Sequence, residues 1–155
     1  MGTDAELAAI IEQSGWAVVR VDGDSLEPTL AYSVGMSESF AHPEIIVMGL
    51  AVAVMHTMID TVGHLVASGR RFAAGEESTE IIEGYACCFR AVAPAAVQHY
   101  MGVAVERCGT SVAALHCVWP DAKGLYPWNQ GASADFRRLQ PKLSDDPSPE
   151  TFRAP

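Results

Sequence analysis

His42-Pro43-Glu44 sets an imidazole and a carboxylate two residues apart, a short way downstream of Tyr32-Ser33. Such a pair suits acid–base work or the holding of a polar ligand. It suits equally a loop anchored by its own side chains, and the rigidity of Pro43 favours anchoring. Further along, Trp119 and Trp128 flank a turn at Asp121-Ala122-Lys123-Gly124, and Gln140 follows. Aromatic rings beside a turn either wall a ligand cleft or pack as a satellite core. Tyr32, His42, Glu44, Trp119, Asp121, Trp128 and Gln140 are therefore the candidate ligand-binding residues. No residue is assigned a catalytic role, and whether the chain is an enzyme stays open.

Other chemistries fit less well. His56, Asp60 and His64 recur every four residues, but at about 100° per residue they fall away from the apolar stripe of their helix. A metal there would lack an enclosing shell, so no metal site is expected. Cys87 and Cys88 are adjacent and must face opposite ways in a strand, as must His116 and Cys117. With Cys108, these four cysteines show no zinc-type spacing and are expected to be unbridged thiols. Trp119-Pro120-Asp121 matches the general-acid loop of protein tyrosine phosphatases. The arginine those enzymes place six positions after their cysteine is Lys123 here, which excludes that chemistry. Glycine-rich phosphate loops are absent. No cofactor is indicated, and a flavin held in some other manner is not excluded.

The elements that must position these groups are legible from periodicity. Thr3-Asp4-Ala5-Glu6 reads as a capping box, followed by Leu7, Ile10 and Ile11 at helical spacing and a stop at Gly15. Strands are expected at Trp16–Val21 and Thr29–Val34, then a loop over Gly35–His42. Ile45–Met48 is apolar on both faces and should run centrally. Val52, Met55, Ile59, Val62, Leu65 and Val66 form one stripe of a helix over Ala51–Ser68. Short strands are expected at Arg70–Ala74 and Thr79–Ile82, and a longer one at Tyr85–Val92. Pro94 opens a helix to Arg107, and Val112–Trp119 is the last strand. The fold class is α+β, a mixed or mostly antiparallel sheet of about five to seven strands with about three helices against it.

The 155 residues suit one globular domain over 1–143, with 144–155 a flexible C-terminal tail. The net charge of −9 and the absence of any basic cluster beyond Arg70-Arg71 and Arg137-Arg138 disfavour nucleic-acid binding. No apolar run spans a bilayer and no basic leader opens the chain, so a soluble cytoplasmic protein is expected.

Several blocks together resemble a bacterial family catalogued as domain of unknown function 4262. They are Gly15-Trp16-Ala17-Val18-Val19, Ala31-Tyr32-Ser33-Val34-Gly35-Met36 and His42-Pro43-Glu44-Ile45-Ile46-Val47-Met48-Gly49-Leu50. Val118-Trp119-Pro120-Asp121, Gly124-Leu125-Tyr126-Pro127-Trp128 and Gln140-Pro141 continue the series. The chain departs from that pattern at Ser33, usually threonine, and at His116-Cys117, commonly a glutamine-containing pair. The resemblance implies no agreed activity. The leading expectation is a binding module for a small molecule or a peptide end. An interaction or immunity-type accessory protein with a protein partner is the alternative, as is an enzyme using His42 and Glu44 for acid–base chemistry.

Overall fold

The structure is a computed structural model and describes residues 4–109 and 111–145. Helix α1 (Asp4–Ser14) leads into a hairpin of β1 (Ala17–Val21) and β2 (Leu30–Val34). Helix α2 (Met36–Phe40) turns the chain into β3 (Glu44–Met48), and α3 (Val52–Ala67) follows. A second hairpin, β4 (Glu77–Ile82) and β5 (Tyr85–Ala91), precedes α4 (Pro94–Tyr100) and α5 (Gly102–Cys108). Strand β6 (Ala114–Val118) and α6 (Ala134–Leu139) complete the described chain. Thr3 of the expected capping box and residues 146–155 of the expected tail lie outside the described residues.

The strands form one mixed sheet in the order β1-β2-β3-β6-β5-β4. Only β3 and β6 pair parallel, and their place at the centre explains why every residue of both is buried. Alternation then divides the core. Ile45, Val47, Phe89, Leu115 and Cys117 face α3, where Met55, Ile59 and Val62 meet them. Tyr32, Ile46 and Met48 face the other way, against Val97 of α4, Ala104 of α5 and Met101 between the two helices. Of the expected core positions on α3, Leu65 is only half-buried at the margin.

The sheet and fold class are as the sequence predicts, but six helices replace the expected three or so. The stretch read as a loop over Gly35–His42 contains α2, whose cap comes from a distant side chain, Glu44. Arg70–Ala74 is not a strand. Arg70 pairs with Glu76 and Glu80 instead, and Phe72 turns into the core. The helix expected over Pro94–Arg107 breaks at Met101, which leaves helical geometry at φ −116° and ψ 46° beside Gly102. Helix α6 was not expected from periodicity; Ser133 caps it by accepting the Phe136 N–H at 3.1 Å.

Candidate functional site

Glu44 pairs with Ala114 and Ile46 with His116, so Glu44 sits at the N-terminal end of the two parallel strands. Trp119 lies just past β6, at their C-terminal end. The candidate residues therefore divide between opposite ends of the sheet, and a single cleft does not unite His42 and Glu44 with Trp119 and Trp128.

At the first end both groups are anchors. His42 Nδ1 lies 2.9 Å from the Pro43 carbonyl, and Nε2 accepts the Phe72 N–H at 3.0 Å. Burial, aided by the charge of Arg71, holds its pKa below the ordinary histidine value. The Glu44 carboxylate accepts from Ser33 Oγ at 2.7 Å and from the N–H groups of Gly35, Met36 and Ser37 at 3.2, 3.2 and 3.0 Å. It thereby satisfies the orphan donors that open α2. Burial pushes its pKa up, and these bonds pull against that rise. Both side chains have their polar atoms engaged by backbone and hydroxyl groups of their own neighbourhood.

Tyr32 is likewise structural. Its hydroxyl accepts the Val103 N–H at 3.0 Å, serving the start of α5 where the helix breaks. Asp121 Oδ1 accepts from Lys123 and Leu125, closing the turn. Trp119 donates its indole N–H to the Met48 carbonyl at 2.7 Å.

Gln140 brackets the Trp119 backbone, accepting its N–H at 3.1 Å and donating to its carbonyl at 2.8 Å. This fastens the end of α6 to the end of β6. Gly49 permits the approach: at φ 86°, a Cβ there would stand 2.6 Å from the Leu139 carbonyl oxygen.

That fastening shapes a half-open cavity of about 240 Å³ between the sheet and the 140–144 segment. Its floor is β5 and β6, where Arg90 pairs in register with His116 on the face away from α3. One wall is Trp128, stacked on Tyr126 with centroids 4.9 Å apart. Tyr126 is fixed in turn by donating to the Ala86 carbonyl at 2.8 Å. The Arg90 guanidinium lies 5.5 Å over the Trp128 ring. Arg137 and Lys142 complete the rim.

His116 is the chemical oddity of this floor. It is 3% exposed, and its Nε2 has no hydrogen-bond partner among the described residues. Burial drives its pKa down to about 3, so the imidazole is neutral at ordinary pH. A buried polar atom without a partner is rare and points to an absent ligand or water. The cavity lining gathers three of the chain's ten Lys and Arg residues and, among the described residues, none of its carboxylates. In a chain of net charge −9 that grouping of cations is a local departure from the overall balance.

Of the residues singled out from sequence, Trp128 and Gln140 line this cavity. Arg90, His116, Arg137 and Lys142 were missed. A visible signal existed for two of them, since Arg90 and His116 interrupt otherwise apolar strands. On α3, Asp60 accepts the Trp16 indole N–H at 2.9 Å and lies 3.2 Å from His56. Among the described residues no His/Cys/Asp/Glu group is arranged to hold a metal, and no helix is long and apolar enough to cross a membrane.

No curated protein and no solved structure matches the chain. The family model described as Domain of unknown function (DUF4262) matches residues 10–133, which takes in Arg90, His116 and Trp128 and stops short of Arg137, Gln140 and Lys142. With most of its length matched, the chain belongs to the DUF4262 family.

Proposed function

We propose that this protein is a binding module for a small organic anion, held in the His116 cavity with its acidic group toward the imidazole. The observation that carries the reading is the buried Nε2 of His116, unpartnered among the described residues, in a lining that contains cations and, among those residues, no carboxylate. The volume exceeds the roughly 150 Å³ of an engineered cavity that holds benzene. Trp128 offers a flat apolar wall for the body of the ligand, and Arg90 and Arg137 offer charge-assisted donors for its head. A carboxylate suits the floor better than a phosphate dianion. The buried polar atom of the floor belongs to a neutral imidazole, which can give one hydrogen bond to a single carboxylate oxygen and, without a charge of its own, does not offset a second negative charge. With a pKa of about 3, His116 has no proton to exchange near neutrality, which favours holding a ligand over acid–base turnover.

Calorimetric titration with benzoate, its neutral isostere benzamide, and phenyl phosphate tests this reading. Benzoate should bind in the micromolar to millimolar range, benzamide at least tenfold more weakly. Arg90→Ala should lose most of the preference for the anion while leaving the melting temperature close to that of the parent. Equal binding of benzoate and benzamide, or indifference to Arg90→Ala, sinks the proposal.

A further inference from the structure

The cavity does not end at its rim. A second, more open depression shares Arg137 and Pro141 with it. Leu26, Pro28 and Tyr100 supply its apolar walls, Glu27 lies among them with its carboxylate engaged by His99 and Tyr100, and Arg138 joins Arg137 on its edge. Leu26 is 89% exposed, the most solvent-facing large apolar side chain among the described residues. It is nonetheless held in place. Asp24 Oδ1 accepts the N–H groups of Leu26 and Glu27 at 2.8 and 2.9 Å, and Glu27 Oε1 meets His99 Nε2 at 2.9 Å and the Tyr100 hydroxyl at 3.1 Å. A leucine displayed on a pinned turn beside a groove is set up to meet an apolar group from outside.

We infer that the anion of the His116 cavity is the carboxyl end of a peptide, whose preceding residues run over Pro141 past Arg137 and place an apolar side chain against Leu26 and Tyr100. This rests on the reading of the cavity as an anion site and names the class of ligand. The two ends of the path differ in character as the two ends of such a peptide do. The closed end has cations and a neutral imidazole for one charge; the open end has apolar surface for a side chain. Between them the edge is mixed, Arg137 against Pro141, which suits a backbone of alternating amides and side chains. A plain acyl chain would lie over the two guanidinium groups and give them no acceptor. Recognition by a buried terminal carboxylate and one upstream pocket follows the general mode of carboxyl-terminus capture.

The test is a ladder of N-acetyl peptides running from N-acetyl-phenylalanine to five residues, each ending in phenylalanine with a free carboxylate and each of two residues or more carrying leucine at its N-terminal end. Amidated versions and octanoate are the controls. Affinity should rise at least tenfold once the peptide is long enough to reach the second depression, and amidation should abolish the gain. Leu26→Ser, a fully solvent-facing change, should cancel the gain for the long peptides and leave N-acetyl-phenylalanine unaffected. If N-acetyl-phenylalanine binds through Arg90 but length adds nothing, the peptide inference falls and the anion site stands. A tenfold gain for octanoate that is lost in Leu26→Ser, with none for peptides, also overturns it. If no carboxylate binds better than its amide, the underlying anion site fails with it.

Discussion

The imidazole of His42 accepts the backbone N–H of Phe72 at 3.0 Å, joining the entry of β3 to a segment thirty residues downstream. Its other nitrogen is taken by Pro43, and the ring stands edge-on to the Phe72 ring with centroids 6.3 Å apart. His42→Ala leaves the Phe72 N–H buried and unanswered, so a loss of roughly 1–3 kcal/mol is expected. Urea unfolding measures it. Benzoate affinity per folded molecule should be unchanged, because the cavity lies at the other end of the sheet. Weakened binding with stability intact would restore His42 as a site residue.

The sheet was legible because its signals are local. Ile45–Met48 is apolar on both faces, and only a central strand uses such a run; β3 is that strand. Helix α2 was not legible, since its opening donors are met by Glu44 from across a turn and nothing in the five residues themselves marks it. In α6 one residue, Phe136, turns inward while Leu139 stays exposed, too little for a periodic stripe. Missing α6 meant missing Arg137, and with it the rim of the cavity. The pairing of His42-Glu44 with the Trp119 block failed for a topological reason. Both blocks flank strand termini, but the parallel pairing of β3 and β6 puts those termini at opposite ends.

His116 makes stability depend on pH in a direction its burial fixes. Its folded pKa is about 3 against an ordinary 6.5, so the unfolded chain binds the proton first. Its contribution is whole above about pH 6.5 and falls by about 1.4 kcal/mol per pH unit as the pH drops toward 3. The lowered pKa of His42 has the same sign. Glu44, raised by burial, has the opposite sign: its folded form takes up a proton first and gains stability as the pH falls toward the ordinary carboxylate value. Comparing wild type with His116→Gln cancels every other group. Between pH 6.5 and 5 the wild type should lose about 2 kcal/mol more than the variant. Parallel stability curves would show that His116 is solvated or protonated in the folded state.

Packing of α3 sets two core substitutions apart. Ile59 is fully buried, and Ile59→Ala should cost roughly 2–5 kcal/mol through lost contact and the cavity left behind. Gly63 is the subtler position. In an open helix, alanine would stabilise by about 1 kcal/mol relative to glycine. Here a Cβ would stand 2.4 Å from Cε2 of Trp16, whose indole is tethered by Asp60. Crowding should win, and Gly63→Ala should destabilise by roughly 1–3 kcal/mol. Denaturant melts followed by tryptophan fluorescence decide the sign; a stabilised variant would show that the Trp16 ring is free to withdraw.

The four cysteines are unbridged, and they differ sharply in access. Cys87, Cys88 and Cys117 are buried between β5 and β6 and their flanking cores, while Cys108 is half-exposed at the end of α5. Burial and the charge of Glu77 push the Cys88 thiol up to about 11. Contact with Cys87 and burial raise Cys117 as well. Thiolate is the reactive form, so these positions should react only through opening of the fold. Cys108 is raised too, by burial, but its sulfur is reachable from solvent beside Ser37. Iodoacetamide at pH 8 should therefore add one group quickly to the native protein, and four under denaturing, non-reducing conditions. Peptide mapping should place the fast adduct on Cys108. Because Ser37 and Cys108 lie at the Glu44 end of the sheet, that adduct should leave benzoate affinity at the His116 cavity unchanged. Fewer than four adducts after unfolding would reveal a bridge, and rapid labelling of Cys88 or Cys117 would show that the central strands open far more readily than their burial implies.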